Sequence, residues 1–254
     1  MKKVLLTVAY NGSAYHGYQL QEDLPTVSLK LNHAINSAFG VECSVTGCSR
    51  TDAGVHALGF CLTAEVKRSE DEITVPVEKI PIAVNIKLPA DIAVLSAKEV
   101  SLEFHPRYDA VKKEYVYKIH DSRIKNPFYE NRVFEYGREI SDEGIERMNE
   151  AAGHFLGTHH FDAFMAQGSQ IVDTERTVYS AKVERNNDLV EFTVSADGFL
   201  YNMVRIMVGT LLQVECGRLE PSDIPEIIES QKREKAGFTA KPHGLYLKKI
   251  YYDS

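Results

Sequence analysis

Cys48-Ser49-Arg50-Thr51-Asp52-Ala53-Gly54-Val55-His56-Ala57 joins two apolar runs, residues 41–45 and 58–66. Both runs have the apolar, β-favouring composition of strands. The segment between them reads as a loop that holds a cation, a hydroxyl, a carboxylate and a glycine. A carboxylate in such a loop can be a nucleophile, a base or an electrostatic clamp. Arg50 can bind phosphate or orient Asp52. Gly54 permits a positive φ or a close approach of backbone to a ligand. The alternative is that Arg50 and Asp52 simply order a turn through side-chain hydrogen bonds. The residues alone leave both readings open.

Working outward, residues 4–10 read as the first strand, and 10–25, with Gly12 and Gly17, as irregular chain. Thr26 can cap a helix whose apolar side is Val27, Leu31, Ala34, Ile35, Ala38 and Phe39, with Gly40 as its stop. Pro76 and Pro81 bracket a short element, and 92–103 is extended. The first half therefore reads strand, helix, strand, strand, short helix, strand, an α+β pattern. A second half, from about residue 105, starts with the strand-like Tyr115-Val116-Tyr117-Lys118-Ile119 and a helix over 141–155. A hairpin follows over 178–196 across Asn186-Asn187-Asp188. Met203, Val204, Met207, Val208, Leu211 and Leu212 form one helical face, Pro221 opens another helix, and 245–251 is a closing strand. The expected division is 1–104 and 105–254.

The 254 residues are 44% hydrophobic and 26% charged, the balance of an ordinary globular protein. No apolar run reaches transmembrane length, so no membrane partner is expected. Cys43, Cys48, Cys61 and Cys216 form no Cys-x-x-Cys pair and read as free, mostly buried thiols of a reducing compartment, the cytoplasm. The histidines show no metal-ligand spacing. A formal net charge of −7 argues against binding nucleic acid over the whole surface, though not against a local basic groove. Between residues 107 and 125, Arg107, Lys112, Lys113, Lys118, Arg123 and Lys125 stand against Asp109, Glu114 and Asp121. That bias reads either as a solvated surface or as one wall of a phosphate-binding cleft.

Arg50-Thr51-Asp52-Ala53-Gly54-Val55-His56-Ala57 resembles the active-site signature of the tRNA pseudouridine synthase A family. The resemblance covers nearly the whole chain. It runs through Tyr10-Asn11-Gly12-Ser13-Ala14-Tyr15-His16-Gly17-Tyr18-Gln19, Phe104-His105-Pro106-Arg107-Tyr108 and Lys113-Glu114-Tyr115-Val116-Tyr117. It ends with Asn202-Met203-Val204-Arg205-Ile206-Met207-Val208-Gly209 and Gly244-Leu245-Tyr246-Leu247. The resemblance implies two related α+β halves around an extended, mostly antiparallel sheet, with a basic cleft between them. It also implies a homodimer that contacts tRNA through both subunits.

By the same resemblance the reaction converts uridines 38, 39 and 40 of the tRNA anticodon stem-loop to pseudouridine, with no cofactor and no metal. Asp52 is then the catalytic aspartate, acting at ribose C1′, on a ribose proton, or at uracil C6. Arg50 holds that carboxylate or contacts the nucleotide, and Arg205 is an active-site arginine. Tyr115 stacks on the extruded uracil with Tyr117 as support. Leu245 and Leu247 are candidates for an apolar wall, and Arg107, Lys112, Lys113 and Lys241 for phosphate contacts. Without the resemblance, Arg205 would read as a surface cation beside an apolar stripe. Ser49, Tyr18 and His160 depart from a frequent glycine, tryptophan and aspartate. The competing functions are a noncatalytic tRNA-binding protein on the same scaffold and an RNA N-glycosidase.

Overall fold

The computed structural model describes residues 1–168 and 171–253. The chain divides into two compact units, one of Met1–Val111 with Tyr246–Ser254 and one of Lys112–Leu245. Among the described residues no helix is long and apolar enough to cross a membrane.

The first unit opens with β1 (Lys3–Tyr10), whose alternate residues Val4, Leu6 and Val8 are fully buried. Helix α1 (Val27–Phe39) follows; the Thr26 hydroxyl accepts from Leu29 N–H, and Gly40 closes the helix at φ +69°. Strand β2 (Cys43–Gly47) starts two residues later than its apolar run, because the left-handed Gly40 reverses the chain and Asn36 Oδ1 accepts from Cys43 N–H at 2.7 Å. Strand β3 (His56–Val66), helix α2 (Ile80–Asn85) and β4 (Ile92–Glu99) complete the expected order. Pro81 sits in the first turn of α2, where its missing N–H costs nothing. The extended run ends at Glu99, whose pairing with Val4 is the last of the register with β1.

The second unit holds β5 (Ala110–His120, from Lys112 on), β6 (Phe134–Glu135), α3 (Asp142–Gly153), β7 (Gly157–His160), β8 (Glu175–Asn186), β9 (Leu189–Ala196), α4 (Met203–Glu215) and α5 (Asp223–Ser230). Its strands run in the order β5-β9-β8-β7, antiparallel throughout, with β6 added in parallel to β5. In the hairpin, Asn186 pairs with Leu189 and Asn187 takes φ +57°, so the loop is Asn187-Asp188. Ser141 caps α3 by accepting from Gly144 N–H.

The closing strand β10 (Leu245–Tyr252) lies within residues 105–254, expected to form one half. From Tyr246 it belongs to the first unit, where Tyr246 and Leu247 pair in parallel with His56 and Ala57. The first unit's order is thus β4-β1-β3-β10, with β2 also on β3. The fold is α+β with mostly antiparallel strands.

Tyr18, where tryptophan is frequent, is buried and stacks on Phe60 with ring centroids 4.2 Å apart. Its ring fills the space above Gly47, where a Cβ would come within 2.5 Å of it. The buried Tyr18 hydroxyl has no hydrogen-bond partner among the described residues. An unsatisfied hydroxyl costs roughly 1–3 kcal/mol. Tyr18→Phe is therefore expected to stabilise the protein by about 1 kcal/mol and to raise Tm by about 2–4 °C. Calorimetry checks this; an unchanged or lower Tm would show that the hydroxyl is satisfied.

Candidate active site

The loop between β2 and β3 is a fixed structure. Cys48 continues the pairing of β2, donating its N–H to Cys61 O at 2.9 Å. Val55 N–H then donates to Asp52 O at 3.1 Å, closing a turn over Asp52-Ala53-Gly54-Val55. Gly54, third in that turn, has φ +78°, the value a type II turn requires there. The turn leaves Asp52 half-buried and Arg50 exposed. Thr51 is buried and shares a 2.9 Å hydrogen bond with the Tyr10 hydroxyl.

The segment from Tyr10 to Tyr18 is the bed on which this loop lies. Tyr18 N–H donates to Thr51 O at 3.2 Å, and Gly54 N–H donates to Tyr15 O at 3.3 Å. The bed is held in turn by the Tyr15 hydroxyl, which donates to Asp91 Oδ1 at 2.7 Å. Two glycines allow the contact. A Cβ on Gly12 would lie 2.0 Å from Val55 O, and one on Gly17, at φ +84°, 2.4 Å from Thr51 O. His56 ends the loop and is almost fully buried. Its Nδ1 accepts from Gly12 N–H at 3.0 Å, and its ring stacks on Tyr246 at 4.5 Å. An imidazole held this way at both nitrogen and face packs the loop.

In the second unit, Arg205 lies in the first turn of α4. Its Nε donates to Ala240 O at 2.7 Å and one terminal nitrogen donates to Asn202 Oδ1 at 2.6 Å. Ala240 N–H returns a bond to Arg205 O at 3.0 Å. Asn202 can turn toward Arg205 because it takes a left-handed conformation, φ +60°, just before the helix. The partner segment reaches α4 through glycine, since a Cβ on Gly209 would lie 1.7 Å from Phe238 O. That segment continues to Lys241, whose carbonyl accepts from the Tyr117 hydroxyl at 2.8 Å. Burial pushes the Tyr117 phenol up, against the opposing charge of Arg205. Burial, and after it the charge of Lys241, hold the His243 imidazole below its usual range.

On β5 the register with β9 is regular from Lys113 to His120, so Lys113, Tyr115 and Tyr117 share one face and Lys112 and Glu114 the other. Tyr115 meets Phe199 edge to face at 5.1 Å.

The tRNA pseudouridine synthase family model matches residues 6–109 and 151–253. The chain belongs to the tRNA pseudouridine synthase family. It is 42% identical to tRNA pseudouridine synthase A of Thermoanaerobacter sp. (strain X514), over 99% of this chain and 100% of that one. Over the same shares it is 40% identical to tRNA pseudouridine synthase A of Acetivibrio thermocellus. With the namesake protein of Ruminiclostridium cellulolyticum it shares 42% identity, again over 99% of this chain and 100% of the relative.

The tRNA pseudouridine synthase segments singled out in the sequence fall on this framework as follows. The first unit carries Arg50 and Asp52 on one loop, and Arg107 on an exposed stretch where its guanidinium lies 5.8 Å from the Tyr108 ring centroid. The second unit carries Lys112, Lys113 and Tyr115 on β5, and brings Arg205 and Lys241 together through Ala240. Leu245 is buried at the start of β10. The departures are accommodated locally. The Ser49 hydroxyl donates to Arg50 O at 3.3 Å, and His160 Nδ1 lies 3.4 Å from Thr174 Oγ1. Sequence reasoning missed the role of Asn202, whose side chain holds Arg205 instead of capping α4. It also missed Ala240, which acts through its backbone and leaves no signal.

Arg205→Lys is expected to lower single-turnover activity by about a hundredfold, since one ammonium on a flexible stem cannot keep both the Ala240 and Asn202 bonds and the displaced charge is misplaced by about 1 Å. Equal rates and equal tRNA affinity in the two proteins would make Arg205 a packing residue.

Proposed function

We propose that this chain carries the tRNA pseudouridine synthase A activity of its relatives, isomerising uridine to pseudouridine at positions 38, 39 and 40 of the tRNA anticodon stem-loop. The observation that carries this reading is the Asp52 turn, an ordered loop that presents a carboxylate on a bed formed by a second segment of the family pattern. In the reaction the C1′–N1 bond breaks, the base turns, a C1′–C5 bond forms, C5 loses its hydrogen as a proton, and the freed N1 gains a proton. Atoms balance with no oxidant, donor or cofactor. Asp52 acts on the sugar side, by attack at C1′ or by taking a ribose proton. Arg50 orients that carboxylate or grips the nucleotide backbone. Arg205 contacts the RNA, Tyr115 stacks on the uracil, and Leu245 supplies apolar wall. Arg107, Lys112, Lys113 and Lys241 meet phosphates. The working form is a cytoplasmic homodimer.

The test uses unmodified tRNA carrying tritium at uridine C5. Release of tritium that maps to positions 38–40 supports the reading. Binding without release would make the chain a noncatalytic tRNA binder. Abasic sites in place of an RNA of unchanged mass would make it an N-glycosidase. Sedimentation of the active species as a monomer would overturn the dimer.

The lysines give a sharper electrostatic test. Lys112→Ala and Lys113→Ala are each expected to weaken tRNA binding and to reduce the slope of log affinity against log salt by roughly 0.7–0.9 per lost phosphate contact. Since the two side chains leave β5 on opposite faces, a loss confined to one of them identifies the RNA-facing side. Unchanged affinity and slope in both, with folding intact, would remove this segment from the RNA surface.

A further inference from the structure

The loop that follows β5 in the second unit is built to hold two apolar side chains in water. Asn126 Oδ1 accepts from Phe128 N–H at 3.1 Å, and Pro127–Tyr129 form a single 3-10 turn. Arg132 N–H donates to Tyr129 O at 2.9 Å. The Tyr129 hydroxyl lies 2.8 and 3.0 Å from the two carboxylate oxygens of Asp188, and its ring meets His120 edge-on at 5.2 Å. The backbone is therefore tied down at several points. Yet Ile124 is 81% exposed and Phe128 76% exposed. Packing that fixes a loop usually buries its large apolar residues; here it presents them.

The loop's own sequence leans toward cations. Residues 123–132 hold Arg123, Lys125 and Arg132 against Glu130, a net excess of cations in a chain whose formal charge is −7. Among the described residues no ion pair engages Arg123 or Lys125. Neighbouring arginines are taken: Arg138 pairs with Glu215, and Arg185 holds Asp121 through two hydrogen bonds of 3.2 and 3.0 Å. Arg123 also lines a 490 Å³ cavity whose wall is mixed in charge, with Arg138 and Arg185 set against Asp121, Glu139 and Asp188. An ordered loop with an exposed aromatic ring close after two cations that no ion pair engages has the chemistry of a single-stranded RNA contact, where a base stacks on the ring and the cations meet the adjacent phosphates.

We infer that this loop is a further tRNA contact, with Phe128 stacking on an unpaired base and Arg123 and Lys125 gripping the adjacent backbone. The inference rests on the tRNA reading above and adds a binding element to it. Membrane surfaces also take basic apolar loops, but one short turn offers them little apolar area, whereas a single ring suffices for a base.

The chain has no tryptophan, so Phe128→Trp installs a single emitter. Titration with unmodified tRNA is expected to quench its emission, with a midpoint at the tRNA concentration that half-saturates turnover. Phe128→Ala is expected to weaken tRNA binding by about tenfold, at the low end of what a stacked base contributes, with Tm unchanged because the ring is exposed. Emission of F128W that does not respond at tRNA concentrations that saturate turnover would overturn the inference, as would wild-type affinity in F128A. A blue shift with vesicles of phosphatidylcholine and phosphatidylserine, without quenching by tRNA, would make the loop a membrane contact and also overturn it. Failure of the tRNA reading itself shows separately, as absence of tRNA binding and tritium release by the unsubstituted protein, and the inference falls with it.

Discussion

Asp52→Asn is expected to lower single-turnover pseudouridine formation by roughly a thousandfold or more, the scale on which loss of an essential nucleophile acts. The fold and tRNA affinity are expected to survive. The reason lies in how the loop is held. Its turn is closed by Val55 N–H on the Asp52 carbonyl, and its course is fixed by bonds to Thr51 O and from Gly54 N–H. The Thr51 hydroxyl anchors on Tyr10. None of these bonds uses the Asp52 carboxylate, so an isosteric amide leaves the turn in place while it removes the charge and the nucleophilic oxygen. Removing a negative charge near an RNA backbone does not oppose binding. Rates are compared under single-turnover conditions, with affinity by filter binding and folding by calorimetry. Near-normal turnover in a preparation free of wild-type enzyme would take Asp52 out of the chemistry.

Gly12→Ala is expected to cost about 3 kcal/mol of stability and to lower activity by more than about a hundredfold, although residue 12 is itself outside the loop. A Cβ there would lie 2.0 Å from Val55 O and 2.7 Å from Val55 C, and both are backbone atoms that cannot rotate away. Relief requires moving the 52–55 turn off its bed, which also breaks the Gly12 N–H bond to His56 Nδ1. Gly40→Ala is the control. Gly40 has φ +69° but nothing within 4 Å of its missing Cβ, so alanine there adds only backbone strain of roughly 1 kcal/mol. Gly40→Ala should therefore lower Tm by a few degrees at unchanged turnover. Equal turnover in Gly12→Ala and Gly40→Ala would show that the bed does not position Asp52.

These two glycines also show where the sequence was legible. Gly40 follows a helical stripe, and its role could be read from local pattern alone. Gly12 could only be placed in irregular chain, because its constraint comes from a carbonyl more than forty residues away. The same division runs through the fold. Strands, helices and the asparagine hairpin announce themselves by periodicity and by turn residues. The start of the second unit and the return of β10 to the first depend on which strand finds which edge, and no local signal carries that choice. The candidate residues Asp52 and Arg50 of the first unit, and Tyr115 and Arg205 of the second, were visible as residue types in the family's pattern. What holds them was partly hidden. The Thr51–Tyr10 pair joins two segments the sequence treats as separate, and Ala240 serves through a carbonyl every residue possesses. His56 meets a backbone N–H and a ring that no spacing rule connects to it.

The return of β10 also sets an order of events during synthesis. The first unit is largely translated by Val111, but residues 112–245 must be made before Tyr246 and Leu247 can pair with His56 and Ala57. At roughly 5–20 residues per second that interval is on the order of ten seconds. For that time the edge of β3 next to the Asp52 loop lacks β10 beside it at His56, and the imidazole lacks the ring of Tyr246. A nascent or prematurely ended chain therefore holds the Asp52 loop without its final clamp. Ribosome-bound chains stalled before β10 should therefore fold locally yet show no activity.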